Sequence, residues 1–137
     1  MDKLKSFYKN KTILVTGATG FKGAWLSYWL LKLGANVIGV GYNPNKNKNL
    51  FYQLKLQKKI KLYLFDIRNF KKLKKVVEKS KPSIIFHLAA QPLIYESYIK
   101  PFLTFDVNYR GTLNVMEVIR TSKSVKSSVI VTSDKCY

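Results

Sequence analysis

Near the end of the sequence Ser133, Asp134 and Lys135 stand side by side, directly after Val129-Ile130-Val131-Thr132. A hydroxyl, a carboxylate and an amine at the end of an apolar run can polarise a carbonyl or an alcohol and move protons. The same tripeptide is also an ordinary turn. A second pattern lies near the start, where Ile13-Leu14-Val15 runs into three glycines at three-residue spacing, Gly17, Gly20 and Gly23. That pattern suits a phosphate: one glycine for a tight turn, one where a pyrophosphate approaches the backbone, one where a helix lies close to a strand. Thr19, Phe21 and Lys22 fall between them. The spacing is GxxGxxG rather than GxGxxG, and a glycine-rich turn that binds nothing is the competing reading.

Two further groups belong with these. Asp66, followed by Ile67 and Arg68, closes an apolar run. Its carboxylate could accept a hydrogen bond from an adenine amino group or cap the next turn. Leu88, Ala89, Ala90 and Gln91 follow the run SIIFH, and the two alanines leave room for a flat ring or a ribose, or are plain loop residues. His87 is the only histidine and is read as structural. Asn108 falls inside a helical pattern, where it would bond neighbouring backbone. No metal site is expected.

The elements that must position these groups follow from periodicity. Strands are predicted over Thr12–Thr16, Asn36–Gly41, Ile60–Phe65, Ser83–His87 and Ser128–Ser133. A helix over Phe21–Lys32 should bury Trp25, Leu26, Trp29, Leu30 and Leu33, with Gly34 ending it. A second, capped by Asn69, runs to about Lys79 and buries Phe70, Leu73, Val76 and Val77. A third starts at Pro101, reaches about Arg120, and should bury Phe102, Phe105, Tyr109, Leu113, Met116 and Ile119. Residues before Thr12 form a basic lead-in, Tyr42–Asn49 a polar loop, Leu50–Leu54 one helical turn, and Leu88–Lys100 an irregular stretch. Alternating strands and helices predict an α/β fold, a Rossmann-like doubly wound parallel sheet of about five strands in the order 3-2-1-4-5. Ligands of such sheets bind beyond the carboxyl ends of the strands, where all the groups above gather.

The composition fits one domain, residues 1–137, with 47% hydrophobic residues and enough apolar surface for a core. Cys136 is the single cysteine, so no disulfide framework exists, and no apolar run has the length of a membrane span. A cytoplasmic setting with no membrane partner is expected. The 25 Lys and Arg against 7 acids give a net charge of +18. These lysines fall on solvated helix faces, as at Lys71, Lys72, Lys74 and Lys75, rather than in Arg-rich clusters, so no nucleic-acid partner is expected. The charge favours anionic ligands by long-range attraction.

Five segments, VTGATGFKGAWL, FDIRN, FHLAAQPL, VNYRGTLNVMEVIR and VTSDKCY, resemble in order and spacing the CDP-glucose 4,6-dehydratases of the extended short-chain dehydrogenase/reductase group. The resemblance implies an NAD-binding domain of a lyase that converts CDP-D-glucose to CDP-4-keto-6-deoxy-D-glucose, a precursor of surface-polysaccharide sugars. Hydride leaves C4, water leaves across C5 and C6, and the hydride returns to C6. It also implies cofactor contacts from Gly17, Thr19, Gly20, Phe21, Lys22, Gly23, Asp66, Ile67, Leu88, Ala89, Ala90, Gln91 and Thr132. Ser133 would hydrogen-bond the C4 oxygen and Asp134 would protonate the leaving hydroxyl. Lys135 stands where related dehydratases carry a glutamate that takes the C5 proton.

Two departures go with the resemblance. Val40-Gly41-Tyr42-Asn43 lacks the acidic residue that marks NAD at the ribose, so the residues do not decide between NAD and NADP. The family's Tyr-x-x-x-Lys pair is absent, and Tyr137 belongs to the SDKCY segment. The expectation is therefore an N-terminal portion, lacking later strands and the substrate domain, inactive alone and an oligomer when whole. A non-catalytic NAD(P)-binding module, or another nucleotide-sugar dehydratase or epimerase, is the alternative.

Overall fold

The structure, a computed structural model, describes residues 2–42 and 49–132. Five strands form one parallel sheet in the order β3-β2-β1-β4-β5. They are β1 (Thr12–Thr16), β2 (Asn36–Gly41), β3 (Lys61–Leu64), β4 (Ile84–His87) and β5 (Ser127–Ile130). This is the predicted fold class and order. Central β1 pairs with β2 on one side, Ile13 against Val37, and with β4 on the other, Ile13 against Ile84. β3 is trimmed at both ends relative to expectation, and β5 begins one residue before the expected Ser128 and ends at Ile130, the expected end at Ser133 lying outside the described residues; Ile60 and Phe65 flank β3 as buried residues outside the ladder.

Successive side chains of a strand point to opposite faces, so a strand covered on both faces reads as an unbroken apolar run. Ile13 and Val15 enter one core, under α2 (Phe21–Lys32) and α3 (Leu50–Gln53). Leu14 enters the other, under α4 (Phe70–Ser80) and α7 (Gly111–Thr121). The lead-in forms α1 (Asp2–Tyr8), with no buried residue. α4 has the predicted cap, Asn69, whose side chain accepts from the Lys72 amide, with Leu73, Val76 and Val77 buried and Phe70, expected to join them, only half-buried.

Three expectations fail. The stretch Leu88–Lys100 is not wholly irregular, because α5 (Ile94–Ile99) lies within it. The helix from Pro101 is continuous but changes type: α6 (Pro101–Phe105), a π-helical segment (Asp106–Arg110), then α7. Its buried residues are Gly111, Val115 and Val118, whereas Phe102, Phe105, Tyr109, Leu113 and Met116 are exposed, Phe102 at 93%. The third concerns part of α2: Leu30 and Leu33 are buried as expected, but Gly23, Ala24 and Ser27 join them while Trp25 and Trp29 are about half exposed. Both helices carry two apolar stripes, and the stripe of smaller residues faces the sheet because it allows closer approach.

Candidate functional site

All strands are parallel, so Gly17, Tyr42, Asp66, Leu88 and Val131 follow strand ends at one edge of the sheet. Gly17 has φ +71°, and a Cβ there would come within 2.7 Å of the Ala89 nitrogen and the Leu88 carbonyl carbon. Any side chain at Gly17 would push apart the two loops that the sheet brings together. A Cβ at Gly23 would overlap the Gly17 carbonyl, so the first turn of α2 sits directly on the glycine loop. Gly20 is different. It is exposed, its φ of −76° and ψ of 167° suit any residue, and an added Cβ would meet only the Gly17 oxygen at 3.2 Å. Space beside Gly20 is therefore open to a ligand.

Gly20 is also the N-cap of α2, with no side-chain cap and no acidic residue in the first turn. The first N–H groups of that helix and its positive dipole end face outward with Lys22. A backbone cradle of this kind accepts an anion. Thr19 is buried, and its carbonyl accepts from the Asn49 side chain at 2.8 Å, while Asn49 also caps α3. Phe21 and Lys22 are exposed at the rim.

Across the crevice, the loop after β4 is held from two directions. The Asn108 side chain accepts from the Gln91 amide at 2.7 Å and donates to the Gln91 carbonyl at 3.2 Å. Asn108 thus bonds a loop 17 residues away rather than its own neighbourhood. The Gln91 side chain itself is committed to Thr104 and to the Leu93 backbone. Ala89 and Ala90 remain small and at least partly open. Beneath them, buried His87 contacts Thr16 Oγ1 through Nδ1 at 2.6 Å and Thr112 Oγ1 through Nε2 at 3.0 Å. Thr112 donates its single hydroxyl proton to the Asn108 carbonyl, so it accepts from His87 Nε2–H. His87 Nδ1 is then an acceptor from Thr16, whose oxygen in turn accepts from the Ala89 amide. Burial pushes the His87 pKa down to about 4, which keeps this neutral tautomer.

At the third strand end, Asp66 Oδ1 accepts from the Arg68 amide and from Arg68 Nε, and Oδ2 accepts from the guanidinium at 2.6 Å. The capping reading of Asp66 therefore holds, and the arginine keeps its carboxyl below the usual carboxylate range. Arg68 also donates to Asp106 Oδ2 at 2.7 Å, and Asp106 pairs with Arg110. Asn114 donates to the carbonyls of Ile67 and Arg68. The Ile67 side chain is buried, lying where a Cβ on Gly111 would come within 2.6 Å.

Thr132 is exposed just past β5. Ser133, Asp134 and Lys135 lie outside the described residues, as do 43–48 of the loop after β2. The structure therefore brings together the glycine turn, Asp66 and the Leu88–Gln91 loop. Of the residues that hold these parts, Thr16 and Arg68 are expected at the strand ends but with no holding role, Asn108 is expected to bond its own neighbourhood, and nothing in the sequence reading singles out Asn49, Asp106 or Thr112. For Asn49 a signal existed: an asparagine directly before a helical turn is an N-cap pattern.

A model of the family described as GDP-mannose 4,6 dehydratase matches residues 14–137. The chain belongs to this family. It is 41% identical over 133 residues to the CDP-glucose 4,6-dehydratase of Salmonella typhimurium, covering 97% of this chain and 37% of that protein. Among solved structures, an epimerase from Methanothermobacter thermautotrophicus aligns with a TM-score of 0.83 at 31% identity, over 98% of this chain and 38% of that one. The UDP-glucose 4-epimerase of Bifidobacterium longum, solved with NAD+ and UDP, aligns with a TM-score of 0.77 at 26% identity, over 90% and 37%. The chain thus spans well under half the length of the relatives it matches. No helix among the described residues is long and apolar enough to cross a membrane, and no group of metal-ligating side chains occurs among them.

Proposed function

We propose that this chain is the NAD-binding part of a nucleotide-sugar 4,6-dehydratase acting on CDP-glucose. The observation that carries the reading is the uncapped start of α2 at Gly20, open on its outer side, in a glycine turn whose Gly17 lies against Leu88 and Ala89 at the sheet's switch point. The dinucleotide fits these residues. The first-turn amides of α2 and Lys22 would hold the pyrophosphate, and Gly17 and Gly23 keep the turn tight enough to present them. Asp66, ionised at neutral pH, would accept from the adenine amino group, with Ile67 beside it. Ala89, Ala90 and Thr132 would leave room for the nicotinamide half. When bound, NAD supplies a reversible hydride acceptor.

The substrate-facing roles rest on the sequence. Ser133 would hydrogen-bond the C4 oxygen, Asp134 would pass a proton to the C6 hydroxyl, and Lys135 would take the C5 proton. Lysine can do so only with its pKa lowered by its surroundings. CDP as the nucleotide is supported by the relative that is 41% identical over nearly the whole chain. A cytoplasmic setting and self-association of the whole protein belong to the same proposal, as does the placing of residues 1–137 as an N-terminal portion.

The test is calorimetric titration with NAD. The chain should bind weakly, and Gly20→Val should lower affinity by at least about tenfold, because two methyl groups enter the pyrophosphate path. The φ and ψ of Gly20 suit valine, and its Cβ would press only on the Gly17 oxygen, at 3.2 Å, so the variant should still fold, which circular dichroism checks. Unchanged affinity in folded Gly20→Val, or no binding by the parent, overturns the reading.

A further inference from the structure

Asp66 has two oxygens and about four acceptor positions. Oδ1 accepts two hydrogen bonds, from the Arg68 amide at 2.9 Å and from Arg68 Nε at 3.0 Å, which fills it. Oδ2 accepts one, from Arg68 Nη2. One lone pair on Oδ2 therefore has no partner among the described residues. The guanidinium fork fixes the plane of the carboxylate, and so fixes the direction of that lone pair. Arg68 is itself fixed at its far end. Nη1 donates to Asp106 in the π-helical segment, and the Arg68 carbonyl accepts from Asn114 of α7. Asp106 is held in turn by Arg110. The chain Asp66–Arg68–Asp106 thus ties the third strand end to the same helical segment whose Asn108 grips the loop after β4. Side chains of Asp66, Arg68 and Asp106 are about a quarter exposed, so these bonds are only partly screened by water.

We propose that Arg68 is the positioning residue that sets base selectivity, by aiming the one unused lone pair of Asp66 Oδ2 at an exocyclic amino group, with Asp106 holding Arg68 in register. This rests on the cofactor reading above. It requires a base bearing an amino donor at that position and disfavours one bearing an oxo group, which would set oxygen against oxygen. The carboxylate cannot adapt, since its arginine partner keeps it ionised and acceptor-only.

The experiment compares NAD with nicotinamide hypoxanthine dinucleotide, which differs in having an oxo group in place of the amino group. Affinities are measured by calorimetry on the parent chain, Arg68→Met and Arg68→Lys. The parent should prefer NAD by about tenfold, the scale of one charge-assisted hydrogen bond at a partly exposed site. Arg68→Met keeps the alkyl stem but removes the fork, and the preference should fall below about threefold. Should Arg68→Met fail to fold by circular dichroism, Arg68→Lys decides, since it keeps the charge but cannot grip both oxygens and Asp106 together. Equal weakening of both dinucleotides, with the ratio preserved, would make Arg68 a purely structural residue and overturn the proposal. A parent that binds both equally also overturns it while leaving the cofactor reading intact. A parent that binds neither removes both.

Discussion

Protonation of His87 at Nδ1 turns its one acceptor into a donor that faces the Thr16 hydroxyl. That hydroxyl oxygen already accepts from the Ala89 amide, so its proton would have to find another acceptor in a buried place. The native state therefore resists protonation, with the pKa near 4 against 6.5 for an ordinary histidine. The unfolded chain binds the proton first as pH falls, so stability is fully present above pH 6.5 and is lost progressively down to about pH 4. The full loss is on the order of 3 kcal/mol. Asp66, held below 3.8 by Arg68, loses its contribution only further down, while Glu117, held below 4.5 by Arg120, begins to lose its own at the foot of this window. Urea midpoints measured between neutral pH and the low end of this window should fall for the parent, and much less for His87→Gln. An equal fall in both would move the acid sensitivity elsewhere. The same chain of bonds sets the height of the Ala89 amide at the crevice, so acid should also weaken dinucleotide binding before it unfolds the protein.

At the scale of elements, α2 shows why a correct boundary can carry a wrong face. Its ends were legible, because the glycine turn and Gly34 bracket it and the apolar positions repeat between them. Its buried side was not, since hydrophobicity pointed to Trp25 and Trp29, while close packing on β1 and β2 required Gly23, Ala24 and Ser27. α7 repeats this with Val115 and Val118 beneath and Leu113 and Met116 outside. The π-helical segment compounds it, since one wider turn rotates every later residue relative to a single 3.6-residue period. In the site, the glycine turn was legible because its chemistry is local in sequence. The holding contacts were not, because they join residues 30, 38 and 17 positions apart: Asn49 to Thr19, Arg68 to Asp106, and Asn108 to Gln91. Close packing leaves one flaw in α2, for the buried Ser27 hydroxyl has no hydrogen-bond partner among the described residues. Ser27→Ala removes an unsatisfied group and raises helix propensity, so it should stabilise by about 1 kcal/mol and raise the melting temperature by a few degrees. A lower melting temperature would show that the hydroxyl is bonded in solution.

For the whole molecule, two opposing features decide what the chain does at high concentration. The exposed row Phe102, Phe105, Tyr109, Leu113 and Met116 runs along α6 and α7, with Phe105 and Tyr109 stacked at 5.6 Å between centroids. Contiguous apolar surface of this kind is rare on monomers. Against it stands a net charge of +18. Like-charged copies repel over a distance set by salt, about 10 Å at 0.1 M and shorter above. The balance should therefore tip with ionic strength: mainly monomer at low salt, and reversible association at about 0.5 M, where repulsion is screened and apolar burial is unaffected. β5, outermost on its side of the sheet among the described residues and with Val129 exposed, offers the competing route through strand pairing. Sedimentation velocity on two variants separates them. Phe105→Ser combined with Tyr109→Ser should keep the chain monomeric at both salt concentrations, while Val129→Lys should associate like the parent. The reverse pattern would place association at the sheet edge, and association that weakens with added salt would mean that charge pairing, not apolar burial, joins the copies.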